Sequence, residues 1–292
     1  TWETVTAQNS ALRSGMVQAV AIDADDNKWF GTETGVSRLS ADNQSWTTFT
    51  AQNSGLVTDS VRAIAVGADG SLWFGTSGGV SRLSIGGTWD SYTAANSGLL
   101  ADDVSAVAVA GNNVWIGRDG GASHFRADTG IWTNYTADNS VIGNDVQSIA
   151  IDGQGNTWFG VYFGGAVRLA GDGTMTQFVT ADGLGDGNVH AVALELAGSA
   201  WFGTDGGVAR YSTVPSDSPC RNVSPLDAGS EASAAIQRAD DSHMYSVRVV
   251  QPYSRLELTV PDADNQLELY LYRSCDAIRQ AEFIGKARLI GP

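Results

Sequence analysis

The chain has 292 residues, enough to bury a large core, and its 32 acidic against 17 basic residues leave a formal net charge of −15. That balance argues against nucleic acid and anionic lipid as partners, because both bind through clustered Lys and Arg; otherwise it describes a well-solvated surface. No run is apolar and long enough to span a bilayer, and no charged n-region precedes an apolar stretch, so the chain reads as a mature or trimmed product.

Composition divides the chain. All nine Trp lie before residue 202, whereas all six Pro and both Cys lie from Pro215 onward. The expected layout is a first domain over 1–212, a linker rich in Pro, Ser and Asp over 213–227, and a small domain over 228–292.

In chain order, the first domain is a repeat. Trp29-Phe30-Gly31-Thr32 recurs as Trp73-Phe74-Gly75-Thr76, Trp115-Ile116-Gly117-Arg118, Trp158-Phe159-Gly160-Val161 and Trp201-Phe202-Gly203-Thr204, with tryptophans 44, 42, 43 and 43 residues apart. The second copy reads as four short strands. Val61 to Val66 is apolar and β-branched, Asp69-Gly70 is a hairpin turn, and Leu72 to Thr76 is the next strand. Ser77-Gly78-Gly79 turns the chain into Val80 to Ser84, and Trp89 to Thr93 is the last strand. Four antiparallel strands per repeat of about 40 to 45 residues is the pattern of a β-propeller blade.

The ends of this domain look complementary. Trp2 stands 44 residues before Trp46, and Thr6-Ala7-Gln8-Asn9-Ser10 matches Thr50-Ala51-Gln52-Asn53-Ser54, whereas the last copy stops at Tyr211-Ser212 without a fourth strand. The expectation is an all-β protein: a five-bladed β-propeller closed by its N-terminal strand, residues 1 to 6 completing blade five and removing an open edge, with a fragment of a larger propeller as the alternative. A small C-terminal antiparallel β-sandwich follows from the alternating runs Met244–Val250, Arg255–Val260, Gln266–Tyr272 and Phe283–Leu289.

Over residues 1 to 212 the recurring Trp, aromatic or aliphatic, Gly, Thr and the following Gly-Val-x-Arg resemble the two-component regulator propeller repeat. In that family such blades form periplasmic sensor regions ahead of histidine kinases; no kinase is found in this sequence, so the signalling role is not expected to carry over. A more distant similarity is to streptogramin lyase propellers, but of their His and Glu set only His124 and His190 are available. Residues 228 to 290, with Ala234-Ala235-Ile236, Tyr245-Ser246-Val247, Leu256-Glu257-Leu258, Asp262-Ala263-Asp264 and Leu269-Tyr270-Leu271-Tyr272, resemble the bacterial pre-peptidase C-terminal domain, which implies an accessory module of a secreted protein.

The candidate sites are few. The second residue of each inner strand, Gln18, Arg62, Ser105, Gln147 and His190, makes a polar ring at the channel mouth that suits either a small polar ligand or water. The turn between the second and third strands is small or polar in four repeats, and only the fourth carries an aromatic pair, Tyr162-Phe163; with Trp2 these are candidates for an interaction surface, packing onto the second domain being the alternative. The strand-two tryptophans are expected to pack between blades, and Arg38, Arg82, Arg168 and Arg210 to bond to neighbouring backbone.

Asp23, Asp25, Asp262 and Asp264 lie in oxygen-rich turns that calcium favours, although ordinary turn chemistry explains both turns; no cofactor is otherwise expected. Cys220 and Cys275 are expected to form a structural disulfide, which an oxidising compartment permits, with two free thiols as the alternative. Asn43, Asn134 and Asn222 start glycosylation tripeptides by pattern. No Ser-His-Asp order, HExxH or phosphate-binding loop stands out.

The reading is a non-enzymatic scaffold, extracellular, at the cell surface or periplasmic, that contacts other proteins or copies of itself and self-assembles into a filament. A small-ligand sensor at the channel mouth and a lyase-type propeller enzyme are the alternatives.

Overall fold

The computed structural model describes residues 2–142, 145–195 and 199–212, together with the backbone of five strands between 231 and 289. The chain divides into two units, Thr1–Ser212 and Thr213–Pro292.

The first unit is all strand apart from one 3-10 turn, Thr180–Asp182. Its first sheet runs β1 (Val17–Ile22), β2 (Lys28–Thr32), β3 (Gly35–Leu39) and β4 (Trp46–Phe49) in that order, every neighbour antiparallel. The second repeats it with β5 (Val61–Val66), β6 (Leu72–Thr76), β7 (Gly79–Leu83) and β8 (Trp89–Tyr92). The third holds β9 (Ala106–Ala110), β10 (Asn113–Arg118), β11 (Gly121–Arg126) and β12 (Ile131–Tyr135), and the fourth β13 (Asp145–Ile151), β14 (Thr157–Tyr162), β15 (Gly165–Leu169) and β16 (Met175–Phe178). The fifth has three strands, β17 (Val189–Leu194), β18 (Ala200–Thr204) and β19 (Gly207–Tyr211). Each sheet is a blade, and the arrangement is propeller-like.

The repeated Trp-Phe-Gly-Thr follows from how one blade meets the next. The tryptophan packs at a tilt or edge-on against an aromatic ring of the following blade: Trp29 against Phe74 at 6.0 Å, Trp73 against Phe125 at 6.1 Å, Trp115 against Phe159 at 5.2 Å and Trp158 against Phe202 at 5.8 Å. The glycine leaves room for a buried valine in, or just ahead of, the next inner strand. A Cβ on Gly31 would strike Val61, one on Gly75 would strike Val104, one on Gly117 would strike Val146 and one on Gly160 would strike Val189. The core is accordingly four slabs, one per junction between adjacent blades.

The arginines do not bond to backbone as expected. Arg38, Arg82, Arg168 and Arg210 lie over the indoles of Trp29, Trp73, Trp158 and Trp201, 5.3 to 5.8 Å from the ring centres. Three of them also reach the side chain of the hairpin turn in their own blade: Arg38 to Asn27 at 2.9 Å, Arg82 to Asp69 at 3.3 Å and Arg210 to Glu195 at 2.8 Å. A guanidinium is flat and weakly hydrated, so it stacks on the indole and still points its N–H groups at the turn. His124 does the same in the third blade, 4.2 Å from Trp115 and nearly parallel to it, with Nε2 3.0 Å from Asn113.

The N-terminal closure is not present. Residues 2–5 belong to no strand, Trp2 is fully exposed, and the outer edge of β19 has no partner among the described residues. β1 packs on β5, β5 on β9, β9 on β13 and β13 on β17, with no comparable contact returning from β17 to β1. Among the described residues the five sheets therefore run as an open series, exposing Val20 and Ile22 at one end and Trp201 and Val208 at the other. The physical reason is visible on β1: Val20 and Ile22 stay exposed where their counterparts Ile64 and Val66 pack against the preceding sheet, so among the described residues no sheet stands beside β1 to bring a fifth-blade edge to the first segment.

In the second unit, β20 (Glu231–Ala235), β21 (Met244–Val250) and β22 (Arg255–Thr259) form one antiparallel sheet, and β23 (Leu267–Tyr272) pairs with β24 (Phe283–Leu289). The linker 213–227, Cys220, Cys275, Asp262, Asp264 and Asn222 lie outside the described residues.

Candidate functional site

The residues expected to form a polar ring have a structural feature in common that the sequence alone conceals. In four inner strands the register shifts by one residue, between Val17 and Ala19, Val61 and Ala63, Val146 and Ser148, and Val189 and Ala191. The residues skipped are Gln18, Arg62, Gln147 and His190, so each of these four is the extra residue of a β-bulge, which turns its side chain out of the ladder. Ser105 holds the equivalent place just ahead of β9.

The ring is not a set of free groups. Arg62 pairs with Asp103 at 2.6 Å, Gln18 donates to Glu33 at 3.3 Å and Gln147 donates to Asp145 at 2.6 Å. Ser105 donates to the carbonyl oxygens of Gly117 at 3.2 Å and Val146 at 2.9 Å, tying its blade to the next. Four of the five thus serve their own neighbourhoods. His190 differs because of what lies beside it.

The turn between β14 and β15 is one residue longer than its four counterparts: Trp158 to Gly165 spans seven positions, where Trp201 to Gly207 spans six. The additional length places Phe163 in the left-handed region at φ 58°, rare for a residue with a large side chain, and leaves it 74% exposed. Its backbone N–H donates to Asn188 Oδ1 at 3.0 Å. Asn188 Nδ2 in turn donates to Asp205 Oδ2 at 2.8 Å, and Asp205 Oδ1 is 2.7 Å from His190 Nε2. The Tyr162 ring lies 4.2 Å from that of Phe163 and 5.7 Å from the imidazole. Tyr162, Phe163 and His190, which the sequence reading kept as separate candidates, are therefore one patch, joined by Asn188 and Asp205, which it did not single out. The signal for it was the spacing: one residue too many after Trp158.

Hydrogen bonds from Asn188 and His190 hold the Asp205 carboxyl below the usual carboxylate range. An ionised carboxylate only accepts, so the proton on this contact belongs to His190 Nε2. No hydroxyl or thiol nucleophile joins the pair in the described contacts. The patch offers two aromatic faces beside a hydrogen-bonding rim, which suits recognition more than bond cleavage.

Asp23 is not arranged as a calcium ligand. Its carboxylate receives the backbone N–H groups of Asp25 and Asn27, the Asn27 amide and the indole N–H of Trp29, between 2.8 and 3.1 Å. Donors occupy the directions a cation would take, and Asp25 brings no second carboxylate into the cluster; among the described residues no three His, Cys, Asp or Glu converge on one point. Burial opposes the charge on Asp23, but the hydrogen bonds from Trp29, Asn27 and Asp25 outweigh it and hold the carboxyl below its ordinary value. Asn134 spends its amide on the Gly98 carbonyl at 3.1 Å, whereas Asn43 sits exposed in a turn.

The profile of the Two component regulator propeller family matches residues 55–78, the second-blade hairpin with the link before it. No curated protein sequence matches. Among solved structures, the extracellular domain of a putative one component system from B. thetaiotaomicron is 18% identical with a TM-score of 0.60, the match covering 86% of this chain and 36% of that one. PorZ, a bacterial surface component of the type-IX secretion system of Porphyromonas gingivalis, is 19% identical with a TM-score of 0.53, covering 67% and 32%. Virginiamycin B lyase from Staphylococcus aureus is 15% identical with a TM-score of 0.53, covering 83% of each chain. This chain thus spans about a third of the length of the first two. Likeness at these identities shows the fold, and the fold it shows is the propeller.

Proposed function

We propose that this chain is an extracellular, cell-surface or periplasmic module that acts by contact with other proteins and catalyses no reaction, and that Tyr162, Phe163, His190, Asn188 and Asp205 form its contact patch. The observation that carries this is the lengthened turn: in one blade alone the turn between the second and third strands is longer than the repeat, and it presents an aromatic ring to solvent at the cost of backbone strain. The likeness to an extracellular sensor domain and to a secretion-system surface component supports the setting. No helix of the described residues is long and apolar enough to cross a membrane.

The test is site-specific photo-crosslinking from position 163, with exposed Ile85 on a different blade as the control position. Adducts at 163 that wild-type protein competes away, and Phe163→Gly protein does not, are expected. Equal labelling from both positions would refute the patch.

A second reading, capture of a small polar ligand, is favoured by the His190–Asp205 pair lying beside the Tyr162 ring. Under the first reading the finer features are that the second unit is a small accessory sandwich, that Cys220 and Cys275 are bonded, and that copies of the chain join head to tail.

A further inference from the structure

We infer that the segment Trp2–Thr6 of one copy is the fourth strand that blade five lacks among the described residues, supplied to the next copy, with Trp2 filling a preformed pocket. This rests on the self-association reading above and names its junction.

The socket is visible as a set of vacancies at blade five where the other blades are filled. Each third strand begins with a glycine at positive φ, and a Cβ there would strike the carbonyl of the adjacent fourth strand: Phe49 for Gly35, Tyr92 for Gly79, Tyr135 for Gly121 and Phe178 for Gly165. Gly207 has the same backbone, φ 121°, with no described residue within 4 Å of such a Cβ. Gly55 and Gly98, in the links, lie under Trp89 and Trp132 of the next fourth strands; the corresponding Gly183 lies under nothing. Gly203 likewise meets no valine of a following blade.

A shallow depression opens at this place, and its lining includes Phe178, Gly183, Leu184, Phe202 and Tyr211. These correspond by repeat position to Phe49, Gly55, Leu56, Phe74 and Leu83. Three of those equivalents hold Trp89: its ring centre is 6.0 Å from Phe49 and 5.5 Å from Phe74, and its Cβ lies over Gly55. The fourth, Leu83, is its partner in the ladder. The depression therefore has the walls of a tryptophan site.

The plug is equally prepared. Thr6 N–H donates to Asn9 Oδ1 at 2.7 Å and Asn9 Nδ2 to the Thr4 carbonyl at 2.9 Å. The same two bonds close the turn after β4 through Thr50, Asn53 and Thr48, after β8 through Thr93, Asn96 and Ser91, and after β12 through Thr136, Asn139 and Asn134. Residues 4–9 thus hold the turn that elsewhere follows a paired fourth strand, and they hold it without the strand's partner. Downstream, Leu12 is buried and Arg13 N–H donates to Ser37 Oγ, as Val57 does to Ser81 and Leu100 to Ser123. That anchoring places Trp2–Thr6 beside the open face of blade one, where a preceding blade would stand.

The register follows from the repeat. β3 and β4 pair Val36 with Phe49, Arg38 with Thr47 and Leu39 with Trp46. Transferred, Val5 faces Val208, Glu3 faces Arg210 and Trp2 faces Tyr211. Glu3 opposite Arg210 is a pair of opposite charge, as Asp90 is opposite Arg82 in the second blade. The blade faces agree with the strand: Val17 would meet Gly203 as Val61 meets Gly31. One occupant, a second copy docked head to tail, fills every vacancy at once, and such a contact between different patches propagates.

The test measures mass by light scattering and sedimentation across concentration for wild type, Trp2→Ala, Arg210→Glu, Glu3→Arg and the double variant Glu3→Arg with Arg210→Glu. Wild type is expected to grow beyond a dimer, each single variant to lose at least tenfold in apparent affinity, and the double variant to recover. A mixture of Trp2→Ala, which keeps the socket, with Arg210→Glu, which keeps the plug, should stop at one-to-one complexes. All variants alter exposed residues, and circular dichroism verifies their folding. Association that persists in every variant would overturn this junction while keeping the self-association reading. A monomer at all concentrations would overturn both, whether Trp2 stays exposed or is shielded within its own ring.

Discussion

Asn188 accepts the backbone N–H of Phe163 across the fourth and fifth blades, 3.0 Å from nitrogen to oxygen, and so fixes an aromatic residue in a backbone conformation it would otherwise avoid. The lengthened turn is a supported feature of the rim.

Replacing Phe163 tests whether strain is stored there. Phe163→Gly removes the ring and accepts the positive φ without penalty, so thermal stability should stay within about 0.5 kcal/mol of wild type, relief of strain offsetting the flexibility gained by the unfolded chain. Phe163→Val keeps an apolar side chain but is β-branched, and should lose about 1 to 2 kcal/mol. Denaturant titration of both variants compares the two costs.

Trp158 and Trp201 occupy the same place in the repeat, yet Trp158 is 1% exposed and Trp201 is 39% exposed. Trp158→Ala should cost about 3 to 5 kcal/mol, as for other buried large-to-small changes. Trp201→Ala should cost about 1 to 2 kcal/mol when measured on dilute, unassociated protein, because water already reaches a large share of its side chain. Equal losses would mean that blade five is covered.

Acid should loosen the hairpin clamps. Asp23 and Asp69 both hold carboxyls below their ordinary range, Asp23 against burial through the Trp29, Asn27 and Asp25 hydrogen bonds, and Asp69 chiefly through Ser71. A group lowered on folding contributes stability above its unfolded value and loses it as pH falls through its folded value. Stability should therefore be level from pH 7 to about 5 and decline below about 4. Asp23→Asn should lose about 1 kcal/mol at pH 7 and show a shallower acid decline, read from urea midpoints along a pH series.

A Cys220–Cys275 bond would close a 55-residue loop (275 minus 220) and contribute about 4 kcal/mol by chain entropy. Intact mass should rise by two hydrogens on reduction; an unchanged mass would show two thiols.

The blades were legible because their cause is local. Trp, Phe and Gly recur at one spacing since each is dictated by contact with the neighbouring blade, so Trp29 and Gly31 already imply a Phe74 and a Val61. The arginines were misassigned because a chain of letters does not show that Arg38 lies over Trp29, nine residues away but adjacent across two strands. The bulges at Gln18, Arg62, Gln147 and His190 were hidden too, since a one-residue shift of register leaves no mark in an alternating strand. Closure by residues 1 to 6 was inferred from matching ends, and matching ends specify a partner's chemistry without specifying whose it is. The rim patch needed Asn188 and Asp205, which come from a link and a turn that each look ordinary alone.

The division of the core into four separate slabs has a dynamic consequence. Each slab is held only by the two blades that flank it, so the molecule behaves as a row of units with nearest-neighbour coupling, and opening can begin at a terminus and advance blade by blade. Amide hydrogen exchange should then be graded along the sequence, fastest in β17–β19 and β1, slowest in the second, third and fourth blades. Damage to the middle of the row would split the gradient in two.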